Sequence, residues 1–144
     1  MKVVINTQHG GFSLSPKALK FIADKLKEPI YFFKTSYSNG KWTYIPISFE
    51  QVEESHWGIR AFNIPDPNSV TDLEENYEKY NWSFSRYFKN RTDLLLIEVV
   101  EALGDEAGGS HAKLKIVDIP DDIEWILQEY DGWEWVAEKH RTWN

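Results

Sequence analysis

Cysteine is absent from the chain. That absence excludes a disulfide framework, a thiolate metal centre and a cysteine nucleophile together, and it fits a reducing compartment. Histidine is sparse: His9, His56, His111 and His140 are widely separated, with no pair at helical i, i+4 spacing and no accompanying glutamate. The residues therefore predict no metal site, and no motif asks for a cofactor. No run approaches the roughly 18 apolar residues of a membrane-spanning helix. The apolar start at Val3-Val4-Ile5 is too short for the core of a secretory leader. The expectation is a cytoplasmic protein with no membrane partner. Positive charge is also in deficit, with 16 Lys and Arg against 23 Asp and Glu and a formal net charge of −7. Such a field repels a polyanion, which argues against duplex nucleic acid as a partner. A small anionic ligand is still compatible, because a local pocket can oppose the global field.

What is present is enough for an ordered core. A chain of 144 residues with 42% hydrophobic and 15% aromatic residues buries about 68–70% of its unfolded surface on folding. Residues 1–144 read as one domain. Lys2 to Thr7 reads as a buried strand, followed by the loop Gln8-His9-Gly10-Gly11-Phe12. Ser15-Pro16 opens a helix with serine as N-cap and proline at the first helical position. Its apolar face runs Ala18, Leu19, Ile22, Ala23, Leu26, and Pro29 ends it. Ile30 to Phe33 returns as a strand, so a β-α-β unit with parallel strands is expected. Asn39-Gly40 predicts a hairpin turn that sets Tyr37 opposite Trp42, with Pro46 marking the second strand as an edge. Residues 48–90 read less clearly: a short helix after Phe49, a loop at Ile64-Pro65-Asp66-Pro67, a polar helical stretch from Leu73 to Tyr80. Thr92 or Asp93 then caps a helix, apolar nearly all round, that ends at Gly104 and asks for packing on two sides. Lys113 to Ile119 alternates as a half-buried strand.

The last twenty residues hold Trp125, Trp133, Trp135 and Trp143, four of the seven tryptophans. Asp131-Gly132 between two runs of aromatic and β-branched residues is a strong hairpin signal. It pairs Tyr130 with Trp133, Gln128 with Trp135, Leu127 with Val136, and Glu129 with Glu134. The face carrying Ile126, Tyr130, Trp133, Trp135 and Ala137 is expected to be the core face. The opposed glutamates call for solvent, a different register or a cation. The fold class expected is α/β (α+β): a mixed sheet of about five or six strands, two main helices and a C-terminal β-hairpin.

Three sets of residues carry candidate chemistry. The loop after the first strand, with Asn6, Thr7, Gln8, His9, Gly10, Gly11, Phe12, Ser13 and Ser15, can bring backbone N–H groups to an anion at a helix N-terminus. It lacks the third glycine of a dinucleotide fingerprint and the Gly-Lys-Ser of a P-loop. His9 in that loop is a candidate ligand contact or general base. The third set is basic and aromatic: Arg60, Arg86, Arg91, Lys139, His140 and Arg141 with Trp57, Tyr87 and Trp143. Arginine and aromatic rings together can clamp a phosphate and a base. The ligand-binding set drawn from these is Asn6, His9, Gly10, Gly11, Phe12, Ser13, Arg91, Lys139, Arg141 and Trp143. No catalytic Ser-His-Asp set or carboxylate pair stands out among so many acids.

Gly10-Gly11-Phe12-Ser13-Leu14-Ser15, Arg91-Thr92-Asp93 with the helix to Gly104, Ala112 to Asp122, and Glu129-Tyr130-Asp131-Gly132 followed by Glu134 to Trp143 resemble a widespread family of small phage and prophage proteins. The resemblance covers both ends, about half of the chain. The family often carries a cysteine and an aromatic residue where this chain has Gln8-His9, and Asp-Pro-Leu where this one has Asp93-Leu94-Leu95. The resemblance implies a phage protein acting in the cytoplasm of the infected bacterial host; it implies no activity. Three functions are carried forward: a non-enzymatic anti-defence factor that sequesters a nucleotide-type signalling molecule, an inhibitor that binds a host protein through an acidic and aromatic surface, and a small enzyme with His9 as base. Pairing of a sheet edge across a two-fold axis, giving a homo-oligomer, is a further expectation.

Overall fold

The computed structural model describes residues 1–54, 58–82 and 90–139. In chain order the elements are β1 (Lys2–Asn6), α1 (Pro16–Leu26), β2 (Tyr31–Ser38), β3 (Lys41–Ile47), α2 (Phe49–Glu54), β4 (Ile59–Phe62), α3 (Tyr77–Tyr80), α4 (Leu94–Leu103), β5 (Leu114–Asp118), β6 (Trp125–Tyr130) and β7 (Trp133–Glu138). The class is α+β. Among the described residues the strands form three small sheets, β1-β5, β3-β2-β4 and β6-β7, each antiparallel. No helix of the described residues is long and apolar enough to cross a membrane. The chain divides into two compact units, one of Met1–Ala18 with Arg86–Asn144 and one of Leu19–Ser85.

In the first unit, Val3, Val4 and Ile5 of β1 are buried, and β1 pairs with β5 in a register that sets Val4 opposite Ile116. Helix α4 packs on both strands and buries Leu96, Ile97, Val99 and Val100. Asp93 is its N-cap: one carboxylate oxygen accepts from the N–H groups of Leu95 (2.9 Å) and Leu96 (3.1 Å). The apolar wrap is incomplete, because Leu94 at the first helical position is 83% exposed. β7 lies alongside β1. Ser15 caps α1 as its position predicts, its hydroxyl accepting from Ala18 N–H at 3.1 Å.

In the second unit β2 is the central strand, and Pro46 lies on edge strand β3 as its missing N–H demands. Tyr37 and Trp42 meet across the Asn39-Gly40 turn with ring centroids 4.9 Å apart. Phe33, Phe62 and Leu73 form the core, flanked by Tyr44, Ile64, Val70, Tyr77 and Tyr80.

Three expectations are corrected. β1 and β2 do not form a parallel β-α-β pair, and the single mixed sheet resolves into separate antiparallel ones. Both edges of β2 are filled, one by its hairpin partner β3 and the other by β4, so β1 takes β5 instead. The aromatic face of the β6–β7 hairpin is also not its core face. Tyr130 is 73% exposed, Trp133 44%, Trp135 42% and Ile126 38%, while Glu134 on the opposite face is buried.

Candidate functional site

The inversion of that hairpin follows from one ion pair. Arg91, 5% exposed, meets Glu134, 7% exposed, through two parallel bonds: Nη1 to Oε1 at 2.5 Å and Nη2 to Oε2 at 2.8 Å. The fork of a guanidinium matches a carboxylate in this bidentate geometry. Glu134 Oε1 also accepts from the backbone N–H of Asn6 at 2.7 Å. The Arg91 guanidinium lies 3.8 Å from the centre of the Phe12 ring, and the Arg91 carbonyl accepts from Val4 N–H at 2.9 Å. A buried carboxylate without these partners would be costly. The face of β7 that carries Glu134 therefore turns inward, and the tryptophans on the other face turn out.

Asn6 holds the other side of the same arrangement. Fully buried, it donates through Nδ2 to the carbonyls of Gln8 (2.7 Å) and Gly132 (2.8 Å), and Oδ1 accepts from Lys113 N–H at 2.9 Å. Its polar atoms are thus spent on fixing the loop, the hairpin turn and the strand end. Gly10 N–H donates to the Asp131 carbonyl at 3.2 Å. Gly132, at φ +86°, faces the Gly10-Gly11 backbone so closely that a Cβ there would collide with Gly11 N. At Gly10, φ +125°, a Cβ would sit 2.8 Å from His111 Cβ. The glycine pair serves close backbone packing of the hairpin turn.

Half of the sequence-derived set thus converges in the first unit: Asn6, Gly10, Gly11, Phe12 and Arg91 gather around the Asp131-Gly132 turn and Glu134. The guanidinium expected to hold a phosphate is bonded to Glu134, and Phe12 lies against that guanidinium. Ser13 is exposed, and its carbonyl accepts from Gly109 N–H at 3.1 Å. Lys139 is exposed, and its N–H donates to Glu124 at 2.8 Å. Arg141 and Trp143 lie outside the described residues, as do His56, Trp57, Arg86, Tyr87 and His140. Of the other candidates, Arg60 belongs to β4 in the second unit.

His9 stands on the exposed side. Its ring centre is 5.4 Å from that of Trp133 and 6.4 Å from that of Tyr130, and Nδ1 lies 3.3 Å from the Asp131 carbonyl. It extends the outward face of Ile126, Tyr130, Trp133 and Trp135 with a polar edge. Trp135 Nε1 donates to Gln128 Oε1 at 2.8 Å, which holds that indole across the two strands. The residue that sequence reasoning left unassigned was Glu134. Its signal was there, a carboxylate between two tryptophans and opposite Glu129, and Arg91 is the cation it asked for.

Elsewhere, the second unit carries an open cleft of ≈ 570 Å³ lined by Trp42, Tyr44, Ile45, Asn68, Leu73 and Glu74 among others. Burial, with Tyr77 adding to it, holds the Tyr44 hydroxyl above the ordinary tyrosine pKa of 10.0. Among the described residues no three His, Asp or Glu side chains come together as a metal site would need. No family model matches this chain, and neither a curated protein nor a solved structure is similar to it.

Proposed function

We propose that this protein is a non-enzymatic, phage-encoded accessory protein that works in the host cytoplasm by binding a host protein. The contact surface is the outward face of the β6–β7 hairpin. The observation that carries this reading is the exposure of Tyr130, Trp133, Trp135 and Ile126 side by side on one face. Large aromatic rings gathered in solvent mark interaction surfaces, and tyrosine and tryptophan are the residues enriched at interface centres. The face stands on a rigid base, because Arg91–Glu134 and Asn6 fix the hairpin beneath it.

The reading is tested by placing a photo-crosslinking amino acid at Trp133 and, as control, at Leu94, which is exposed at the start of α4. One host protein crosslinking from position 133 and absent from position 94 is the expected result. Equal labelling from both positions, or none from 133, would overturn it.

Sequestration of a nucleotide-type signalling molecule is the second reading, favoured by the tilted His9–Trp133 ring pair as a stacking platform. It predicts a rise in Tm with one member of a nucleotide panel, lost in Trp133→Ala. An enzyme using His9 as base would return altered nucleotide, whereas a sequestering protein releases it intact on heating.

A further inference from the structure

We propose that the partner binds as an added β-strand: an extended segment bearing lysine or arginine that pairs with the outer edge of β6 and lays its side chains over the aromatic face. This rests on the protein-binding reading and names the chemistry of the partner.

Among the described residues the edge has no strand partner. With a two-residue turn at Asp131-Gly132, the ladder turns the backbone groups of Ile126, Gln128 and Tyr130 toward β7, and Lys139 N–H to Glu124 continues the same alternation. Trp125, Leu127 and Glu129 then point their N–H and C=O groups away from the hairpin, and among the described residues no backbone group pairs with them. The edges of β3, β4, β1 and β5 are each covered or guarded. On β3, Asn68 mimics a strand, its Oδ1 accepting from Tyr44 N–H at 2.9 Å and its Nδ2 donating to Tyr44 O at 2.8 Å, with Pro46 two residues on. On β4, Ala61 O accepts from Trp82 N–H at 2.9 Å, and Phe62 bridges Asn81. On β1, Arg91 O and Glu134 take the outward N–H groups of Val4 and Asn6. β5 is only five residues long, with exposed Lys115 within it. Short strands, proline, lysine and covering side chains are how folds keep edges from pairing. β6 carries none of these.

Charge selects the occupant. Across residues 121–139 the exposed carboxylates are Asp121, Asp122, Glu124, Glu129, Asp131 and Glu138, and the exposed base is Lys139. The Glu134 charge is matched by Arg91. A second copy of the chain would bring the same acids to its own edge and a net charge of −7. A basic segment is attracted instead. Main-chain bonds to Trp125, Leu127 and Glu129 would supply affinity, and every second side chain would lie beside Ile126, Gln128 and Tyr130. There arginine and lysine can rest their stems on the rings and their charges over them.

The probe is a capped ten-residue peptide alternating arginine with valine. Its controls are a glutamate-for-arginine version and a version N-methylated at every second residue. Binding to the full chain is followed by tryptophan fluorescence, and amide exchange is read at Leu127 and Glu129. Expected are binding by the arginine peptide alone, at least tenfold slower exchange at both amides, and loss of binding in Leu127→Pro. Binding that persists on N-methylation, with exchange at both amides unchanged, overturns strand addition and leaves the aromatic face as the site. Equal binding of the glutamate peptide overturns the basic partner. No binding by the arginine peptide overturns the proposal, while the crosslink from position 133 still decides the reading beneath it. The exchange measurement uses the unaltered chain, so it stands even where Leu127→Pro fails to fold.

Discussion

The chain contains the same kind of two-residue turn twice, and the two hairpins built on it are used in opposite ways. Asn39-Gly40 and Asp131-Gly132 both adopt positive φ at both turn residues, +53° and +74° in one, +49° and +86° in the other. Each sets a tyrosine opposite a tryptophan. Beyond that they diverge. The Gly40 turn stands in open space, whereas Gly132 abuts the Gly10-Gly11 backbone. The β2–β3 hairpin has its outer edge sealed by Asn68 and Pro46 and one face committed to the Phe33, Phe62, Leu73 core. The β6–β7 hairpin buries a carboxylate, shows its rings to solvent and, among the described residues, has no strand partner on its β6 edge. A turn signal specifies a local conformation and a register. Which face turns inward is decided by what waits on the other side.

The largest expected effect breaks the anchor that sets this difference. Glu134→Gln removes the carboxylate charge from the buried Arg91–Glu134 pair and should cost about 3–5 kcal/mol in denaturant unfolding. Arg91→Met with Glu134→Leu should recover about half of that, leaving about 1–3 kcal/mol for the Asn6 N–H that loses its acceptor. Recovery no better than the single variant would show that the pair does more than neutralise charge.

The next effect compares the turns directly. Gly40→Ala should cost only the left-handed backbone penalty, about 1–2 kcal/mol. Gly132→Ala adds a collision with Gly11 and should cost about 1–3 kcal/mol more. Equal losses in urea unfolding would mean that the second turn is not packed against the glycine loop.

The smallest effect concerns the β2–β3 side. Tyr44 titrates above its ordinary value because it is partly buried, so the folded state holds that proton more tightly. The resulting stability is fully present below the unfolded value near 10.0 and is lost as pH rises through the folded one. The stability difference between the natural chain and Tyr44→Phe should be flat below pH ~9 and then move against the natural chain. A difference that stays flat through alkaline pH would remove the burial argument.

Much of the candidate site was legible before any coordinates. The N-cap at Ser15, the helix from Leu94 to Gly104, both hairpin registers and the edge position of Pro46 all follow from neighbouring residues. Of the ten residues singled out as one ligand-binding set, Arg141 and Trp143 lie outside the described residues, and five, Asn6, Gly10, Gly11, Phe12 and Arg91, come together. What they do there was not legible. Sequence spacing carried no link between Arg91 and Glu134, 43 residues apart, so an arginine beside a helix start read as an anion site. β4 passed unnoticed because four residues, Ile59–Phe62, are too few to show a period.

By itself the sequence determined the local conformations, since turn glycines, caps and alternation act over a few bonds and need no distant partner. It also determined the acidic charge and the absence of thiol chemistry. Only the tertiary structure decided which strands share a sheet, because pairing depends on which edges are already filled. It alone decided which hairpin face is buried, because alternation defines two faces and a single buried guanidinium chooses between them.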